Sequence, residues 1–186
     1  MSASLSLPTE SQLNRLIYSN WDFQQSLSAL TFLMQECDFH SKYSRIDLRK
    51  FRCYEASVVT SFARPFENSR GQTTLGLKAI GVRLNTQEKE LKEQILNLRR
   101  KVIAHSDENF MHFRGEILRP FEDSPLCLPF FHYVESLYIE EAQCKPLEEL
   151  LRKLIGGISK ALFQLAQDYP DWLNRYKQPD VISEET

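Results

Sequence analysis

His105 carries the side chain best suited to move a proton near neutral pH, and it follows Arg99 and Arg100 by six and five residues. The stretch from Leu98 to Glu108 reads LRRKVIAHSDE, with no acid between Asn97 and His105. Arg99, Arg100 and Lys101 therefore set three fixed cations beside one imidazole. That combination suits phosphate chemistry: guanidinium groups neutralise phosphate oxygens while the imidazole shuttles a proton. On a straight α-helix Arg99 and Arg100 lie about 120° and about 140° around the axis from His105. Convergence then requires the helix to fray near Ile103-Ala104, or a second copy of the chain to complete the site. The plainer alternative is a half-buried structural histidine that continues the apolar stripe of its helix.

Other candidates are weaker. Lys42, Arg45, Arg49, Lys50 and Arg52 form a second basic cluster with Asp47 as its lone acid. Arg45, Arg49 and Arg52 fall at i, i+4 and i+7 and share a helix face. This face is either a track for an RNA backbone, sensitive to salt, or a solvated helix surface. Tyr43 and Tyr54 beside it either stack on bases or pack. Asp107 either orients His105 or caps the next turn. Glu55, between Phe51 and Val58, is either a buried carboxylate with a raised pKa or a stripe-edge residue that reaches water. Asp38-His40 and the His112/His132 pair match no metal template. Gly71, Gly76 and Gly81 do not form a phosphate loop, and no G-x-S-x-G occurs. No metal or cofactor is expected.

The elements that must position these groups are mostly helical. Leu13, Leu16 and Ile17 predict a short first helix after Pro8-Thr9-Glu10. Phe23, Leu27, Leu30, Met34 and Cys37 step by 4, 3, 4 and 3, the stripe of a second helix. Asp47 can cap a third, carrying Leu48, Phe51, Val58 and Phe62 and closed by Pro65. Residues 67–74 read as a loop, and 75–84 as a short helix holding Gly76 and Gly81. Thr86 is the expected N-cap of the helix striped by Leu91, Ile95, Leu98, Val102 and His105, with Glu88, Glu90 and Glu93 in its first turns.

Residues 110–139 differ. Met111, Phe113 and Ile117 partly alternate with polar residues, and three prolines fall between Pro120 and Pro129. Aromatic and β-branched residues fill 130–139. A hairpin-like insert is expected, with a helix as the alternative. Leu147, Leu151, Leu154, Ile158, Leu162, Leu165 and Tyr169 predict the last helix, ended by Pro170, with Trp172 packing back. Gly156-Gly157 interrupts it at roughly 1 kcal/mol per glycine relative to alanine, which close packing of another helix would explain. The expected fold is an all-α, up-and-down bundle of four to five helices with a small insert at about 110–139. It forms one domain over 1–186 with loose ends at 1–7 and 179–186.

Composition narrows the class further. A net charge of −2 and a pI near 6.1 give no global basic field for nucleic acid or membrane. Cys37, Cys53, Cys127 and Cys144 are scattered without a C-x-x-C, which fits neither zinc nor a disulfide scaffold and points to a reducing compartment. Met1 to Pro8 lacks a signal-peptide pattern, and no apolar run of about 18 residues predicts a membrane span. A cytoplasmic protein is expected.

LRRKVIAHSDE resembles the motif of the HEPN superfamily (higher eukaryotes and prokaryotes nucleotide-binding), in which an arginine precedes a histidine by four to six intervening residues. It looks most like the bacterial abortive-infection type, R-N-K-x-x-A-H-x-D. On that alignment Arg99 is the motif arginine, Arg100 stands in place of the usual Asn or Asp, and His105 is the motif histidine. A register with Arg100 as the motif arginine, followed by Lys101, also fits the spacing. The resemblance covers these eleven residues and the all-α layout. It implies a metal-independent endoribonuclease acting as a homodimer with two motifs facing each other. His105 would act on the 2′-OH or the leaving oxygen, Arg99 or Arg100 would hold the scissile phosphate, and Lys101, with Arg45, Arg49 and Arg52, would contact RNA. The product would end in a 2′,3′-cyclic phosphate, a chemistry closed to DNA. Many relatives are toxins or phage-defence effectors, some beside a nucleotidyltransferase-type antitoxin. Others are inactive, and the atypical residue after the arginine keeps open a catalytically inactive HEPN-like interaction module. An unrelated bundle with a structural His105 is the third reading.

Overall fold

Each long helix begins where a side-chain oxygen meets a backbone N–H that the helix itself leaves unpaired. In the computed structural model, which describes residues 8–68, 73–103, 113–121, 125–133 and 136–171, α1 (Glu10–Glu36) opens with a reciprocal Thr9/Gln12 capping box. The Ser44 hydroxyl accepts the Asp47 N–H at the start of α2 (Arg45–Ala63). Asn85 and Glu88 exchange two bonds at the start of α3 (Thr86–Leu98), at 2.7 and 2.8 Å. At α4 (Glu141–Asp168) the Gln143 side chain accepts the Glu140 N–H. Two expected caps are thus displaced. Asp47 is the third helical residue and accepts the Ser44 hydroxyl at 2.7 Å. Thr86 is the first helical residue, because Asn85 before it has the acid three positions on that completes the box.

The short first helix expected around Leu13–Ile17 and the second striped from Phe23 to Cys37 are one helix of 27 residues, Glu10–Glu36. Nothing between Glu10 and Glu36 breaks it, since the segment holds neither Gly nor Pro. The 75–84 segment contributes a 3₁₀ turn, Leu77–Ile80, closed by Gly81 at φ +66°.

α1 packs against α2 and α4, α2 packs against α3, and α3 against α4. Phe23 and Leu30 of α1, Val58, Val59 and Phe62 of α2, Ile95 of α3, and Leu147, Leu151, Leu154 and Ile158 of α4 are buried together. Phe23, Phe62 and Phe66 form a ring cluster with centroids 5.6 to 6.0 Å apart. Each such side chain stabilises the fold by about 1.5–3 kcal/mol relative to exposure. Ser26 donates to the Val58 carbonyl at 2.9 Å, so a polar residue on the buried face of α1 is satisfied by α2.

Gly157 lies against the 3₁₀ segment rather than against another helix. A Cβ there would overlap Val82 Cγ2 and stand 2.9 Å from the Ile80 carbonyl oxygen, whereas Gly156 has open space. The insert is an antiparallel pair, β1 (Phe113–Leu118) with β2 (Leu128–Tyr133), in register from Phe113↔Tyr133 to Leu118↔Leu128. The chain is therefore the expected helical bundle with a small β insert, with four α-helices among the described residues. No described helix is long and apolar enough to cross a membrane. His105, Asp107, Glu108, Met111, His112, Trp172 and the expected loose ends at 1–7 and 179–186 lie outside the described residues.

Candidate phosphate-binding cleft

α3 does not run on as an α-helix through the motif. The Arg99 N–H still reaches Ile95, but Arg99–Ile103 winds as a π turn. The departure from α-helical winding begins at Arg99, ahead of Ile103-Ala104 where fraying is one of the two routes to convergence, and the motif arginines do not sit on a straight helix. Such turns recur at functional sites.

No acid falls between Asn97 and His105, yet one comes from the turn after α2. Arg99 Nη1 lies 2.7 Å from Glu67 Oε2, and Arg100 Nε lies 3.8 Å from Glu67 Oε1. Arg100 also donates to Asn97 Oδ1 at 3.3 Å. Glu67 follows a 3₁₀ turn, Arg64–Phe66, that Pro65 starts. Lys92 Nζ sits 4.8 Å from the centre of the Phe66 ring and draws α3 to the same corner. Lys101 is exposed.

Arg99 faces a cleft of about 420 Å³ lined by Arg15, Tyr18, Trp21, Asp22, Arg64, Glu67 and Asn68. Arg15 is buried; its Nε donates to the Thr73 carbonyl and its Nη1 to the Arg64 carbonyl at 3.3 Å. Arg64 Nη1 lies 3.2 Å from Asp22 Oδ1. Burial pushes the Asp22 carboxyl above its ordinary value, with the Arg64 guanidinium opposing. Three guanidinium groups against two carboxylates leave the cleft net positive. Trp21 and Tyr18 expose 60% and 56% of their surface at its rim, leaving two rings available to flat ligands. None of the cleft residues other than Arg99 was marked by sequence pattern. The one local signal is that Arg15, Tyr18 and Asp22 fall at i, i+3 and i+7 and share a face of α1. The pairings of Arg64 and Glu67 join distant parts of the chain.

The second basic cluster stands apart. Arg45 and Arg49 are exposed on the first turns of α2, while Arg52 is half-buried with its guanidinium 5.6 Å from the centre of the Tyr138 ring. Arg49 to the end of α2 at Ala63 is about 21 Å at 1.5 Å per residue, so these arginines and the Glu67 corner are not one site. Lys50 pairs with Glu36.

Glu55 proves to be the buried carboxylate of the two alternatives, 1% exposed. Its Oε1 accepts the N–H groups of Tyr138 and Ile139 at 2.6 and 2.7 Å. Its Oε2 has no hydrogen-bond partner among the described residues. Burial raises its pKa, and the two amides oppose the shift. It joins α2 to the chain entering α4 and lies away from the cleft.

All four cysteines are free thiols. Burial pushes the Cys144 thiol up to about 11, the reverse of a reactive thiolate. The Asp38-His40 pair serves local structure: Asp38 accepts the His40 N–H at 3.0 Å, and His40 Nε2 lies 3.0 Å from Glu141. Among the described residues no three His, Cys, Asp or Glu side chains cluster as metal ligands.

The chain matches no family model, no curated protein and no solved structure. Its functional reading rests on the residues themselves.

Proposed function

We propose that this protein is a HEPN-like, metal-independent endoribonuclease that works as a homodimer in the cytoplasm, in bacterial defence or a toxin–antitoxin pair with a nucleotidyltransferase-type antitoxin. The observation that carries the RNA reading is the cleft in which Arg99 stands with Arg15 and Arg64 beside the exposed rings of Tyr18 and Trp21. Arginine forks match phosphate oxygens. Exposed aromatic rings stack on bases without sequence preference.

In this reading Arg99 neutralises the scissile phosphate, with Arg100 and Lys101 as backbone contacts. His105 takes the proton from the 2′-OH or delivers one to the leaving oxygen. The 2′-oxygen forms a bond to phosphorus as the bond to the 5′-oxygen breaks, leaving a 2′,3′-cyclic phosphate and a 5′-hydroxyl. Arg45, Arg49 and Arg52 would bear on RNA only as a separate contact, given their distance from Glu67.

One observation favours the second reading, an inactive HEPN-like interaction module. Glu67 engages both motif arginines, so an anion must displace a carboxylate before it meets them.

The test is cleavage of single-stranded RNA by the wild type, Arg99→Ala and His105→Ala, with and without EDTA, with product ends read. EDTA-resistant cuts bearing cyclic-phosphate ends, lost in both variants, are expected. Cleavage that persists in His105→Ala overturns the catalytic assignment. RNA binding without cleavage by any of the three leaves the interaction module.

A further inference from the structure

The β insert leaves both of its strands at the surface. All six residues of β2 are exposed, as are Arg114 to Leu118 of β1. An isolated two-stranded ribbon is marginal in water and gains stability from further strands or from packing against a helix. This ribbon has two strands among the described residues, and each has one edge that no described strand covers. Ile117, Phe121, Phe131 and Tyr133 are 71, 64, 49 and 61% exposed. Ile117, Phe131 and Tyr133 fall on one face of the ribbon and Leu118, Leu128 and Phe130 on the other, each face presenting on the order of 200–300 Å² of exposed apolar side chain, taking roughly 150–250 Å² per aromatic side chain and less per aliphatic one. Either face lies within what an ordinary monomer exposes, so the strand edge decides the partner.

The sequence of β1 says which partner fits its edge. β2 contains Pro129, which has no N–H to give, whereas β1, FRGEIL, contains no proline. Strand pairing preserves faces, so an antiparallel self-pairing can shift only by two residues. Centred on Gly115, it places Arg114 opposite Glu116 of the partner subunit, and the partner subunit's Arg114 opposite Glu116. Centred one residue either way, it sets Arg114 against Arg114 or Glu116 against Glu116. One register therefore pairs both charges twice, and its neighbours oppose like charges.

Gly115 suits the centre. It has no side chain on the face where the Phe131 ring of the neighbouring strand lies, and a Cβ would stand 3.3 Å from that ring. We infer that two copies of this chain join through antiparallel β1–β1 pairing about a twofold axis at Gly115, making a four-stranded sheet from two hairpins. The partner is a second copy because the edge is complementary to itself, the requirement of a twofold interface.

The test is sedimentation of the full chain at micromolar concentrations. Wild type is expected at twice its 21.8 kDa chain mass. Arg114→Glu and Glu116→Arg each turn two attractive cross-strand pairs repulsive and should weaken the dimer by about tenfold or more. The double exchange R114E/E116R restores both pairs with reversed sign and should recover wild-type association. Both positions are exposed, and circular dichroism checks that each variant keeps its helices. A monomeric wild type, a single variant that dimerises like wild type, or a double variant that stays monomeric each overturns the inference. The readout is mass, so the outcome stands apart from whether RNA is cleaved.

Discussion

Glu67→Gln isolates the cleft electrostatics because it keeps shape and removes one charge. Glu67 and Arg99 expose 18% and 32% of their side chains, with their closest atoms 2.7 Å apart, whereas Arg100 is half-exposed at 3.8 Å. Exposed pairs contribute about 0.2–1 kcal/mol. The partly covered Arg99 contact falls at the upper end and the Arg100 contact at the lower, for about 1 kcal/mol together. Losing them should lower the melting temperature by roughly 2–4 °C in a chain of this size.

A phosphate that occupies the arginines must first break the same contacts. Removing the competitor should therefore tighten binding by a similar amount, about fivefold. The gain should carry a steeper salt dependence, by roughly 0.7 in the slope of log K against log salt for one further phosphate contact to a single strand. Fluorescence anisotropy with a labelled 2′-O-methyl oligonucleotide reads binding without cleavage. Arg99→Ala should weaken binding in the same assay. Unchanged or weaker binding by Glu67→Gln, at an unchanged salt slope, would refute the assignment of these arginines to phosphate.

Adjacent glycines of α4 should respond with opposite signs. Gly157→Ala drives a methyl into Val82 and the Ile80 carbonyl and should destabilise by about 1–3 kcal/mol. Gly156→Ala meets open space and should stabilise by about 0.5–1 kcal/mol; thermal melts decide both. Glu55 supplies a pH test. Its folded carboxyl titrates above the ordinary value of 4.5, so the folded state holds the proton more tightly and stability falls as pH rises above about 4.5. Glu55→Gln retains an acceptor for the Tyr138 and Ile139 amides and has no proton to lose. Urea unfolding should show wild type losing stability relative to Glu55→Gln as pH rises from about 4.5, and a constant difference would contradict a carboxyl pushed up by burial.

The helices were legible because their stripes are long. Phe51, Val58 and Phe62, and Leu147 through Leu165, repeat at helical spacing and are buried where expected, except that Leu162 is only partly so. The caps slipped because good capping residues stand close together: Ser44 and Asp47, Asn85 and Thr86. Only the residue three positions on decides which one serves. α1 read as two helices because Ser19, Asp22 and Ser26 are buried on its packed face, so polar letters interrupt the stripe. At least two of these are satisfied by distant groups, Asp22 by Arg64 and Ser26 by the Val58 carbonyl, pairings that no local pattern encodes. The cleft was hidden for the same reason. Its arginines come from α1, from the end of α2 and from the end of α3, and the acid that answers Arg99 lies in a segment readable only as a loop.

Glu67 and Glu55 anchor the chain at two points, at the end of α3 and on the approach to α4. One carboxylate holds Arg99 and Arg100 where the backbone leaves α3; the other holds Tyr138 and Ile139 where it re-enters toward α4. Both posts belong to α2 and the turn after it, so one helix fixes where the chain leaves the bundle and where it returns.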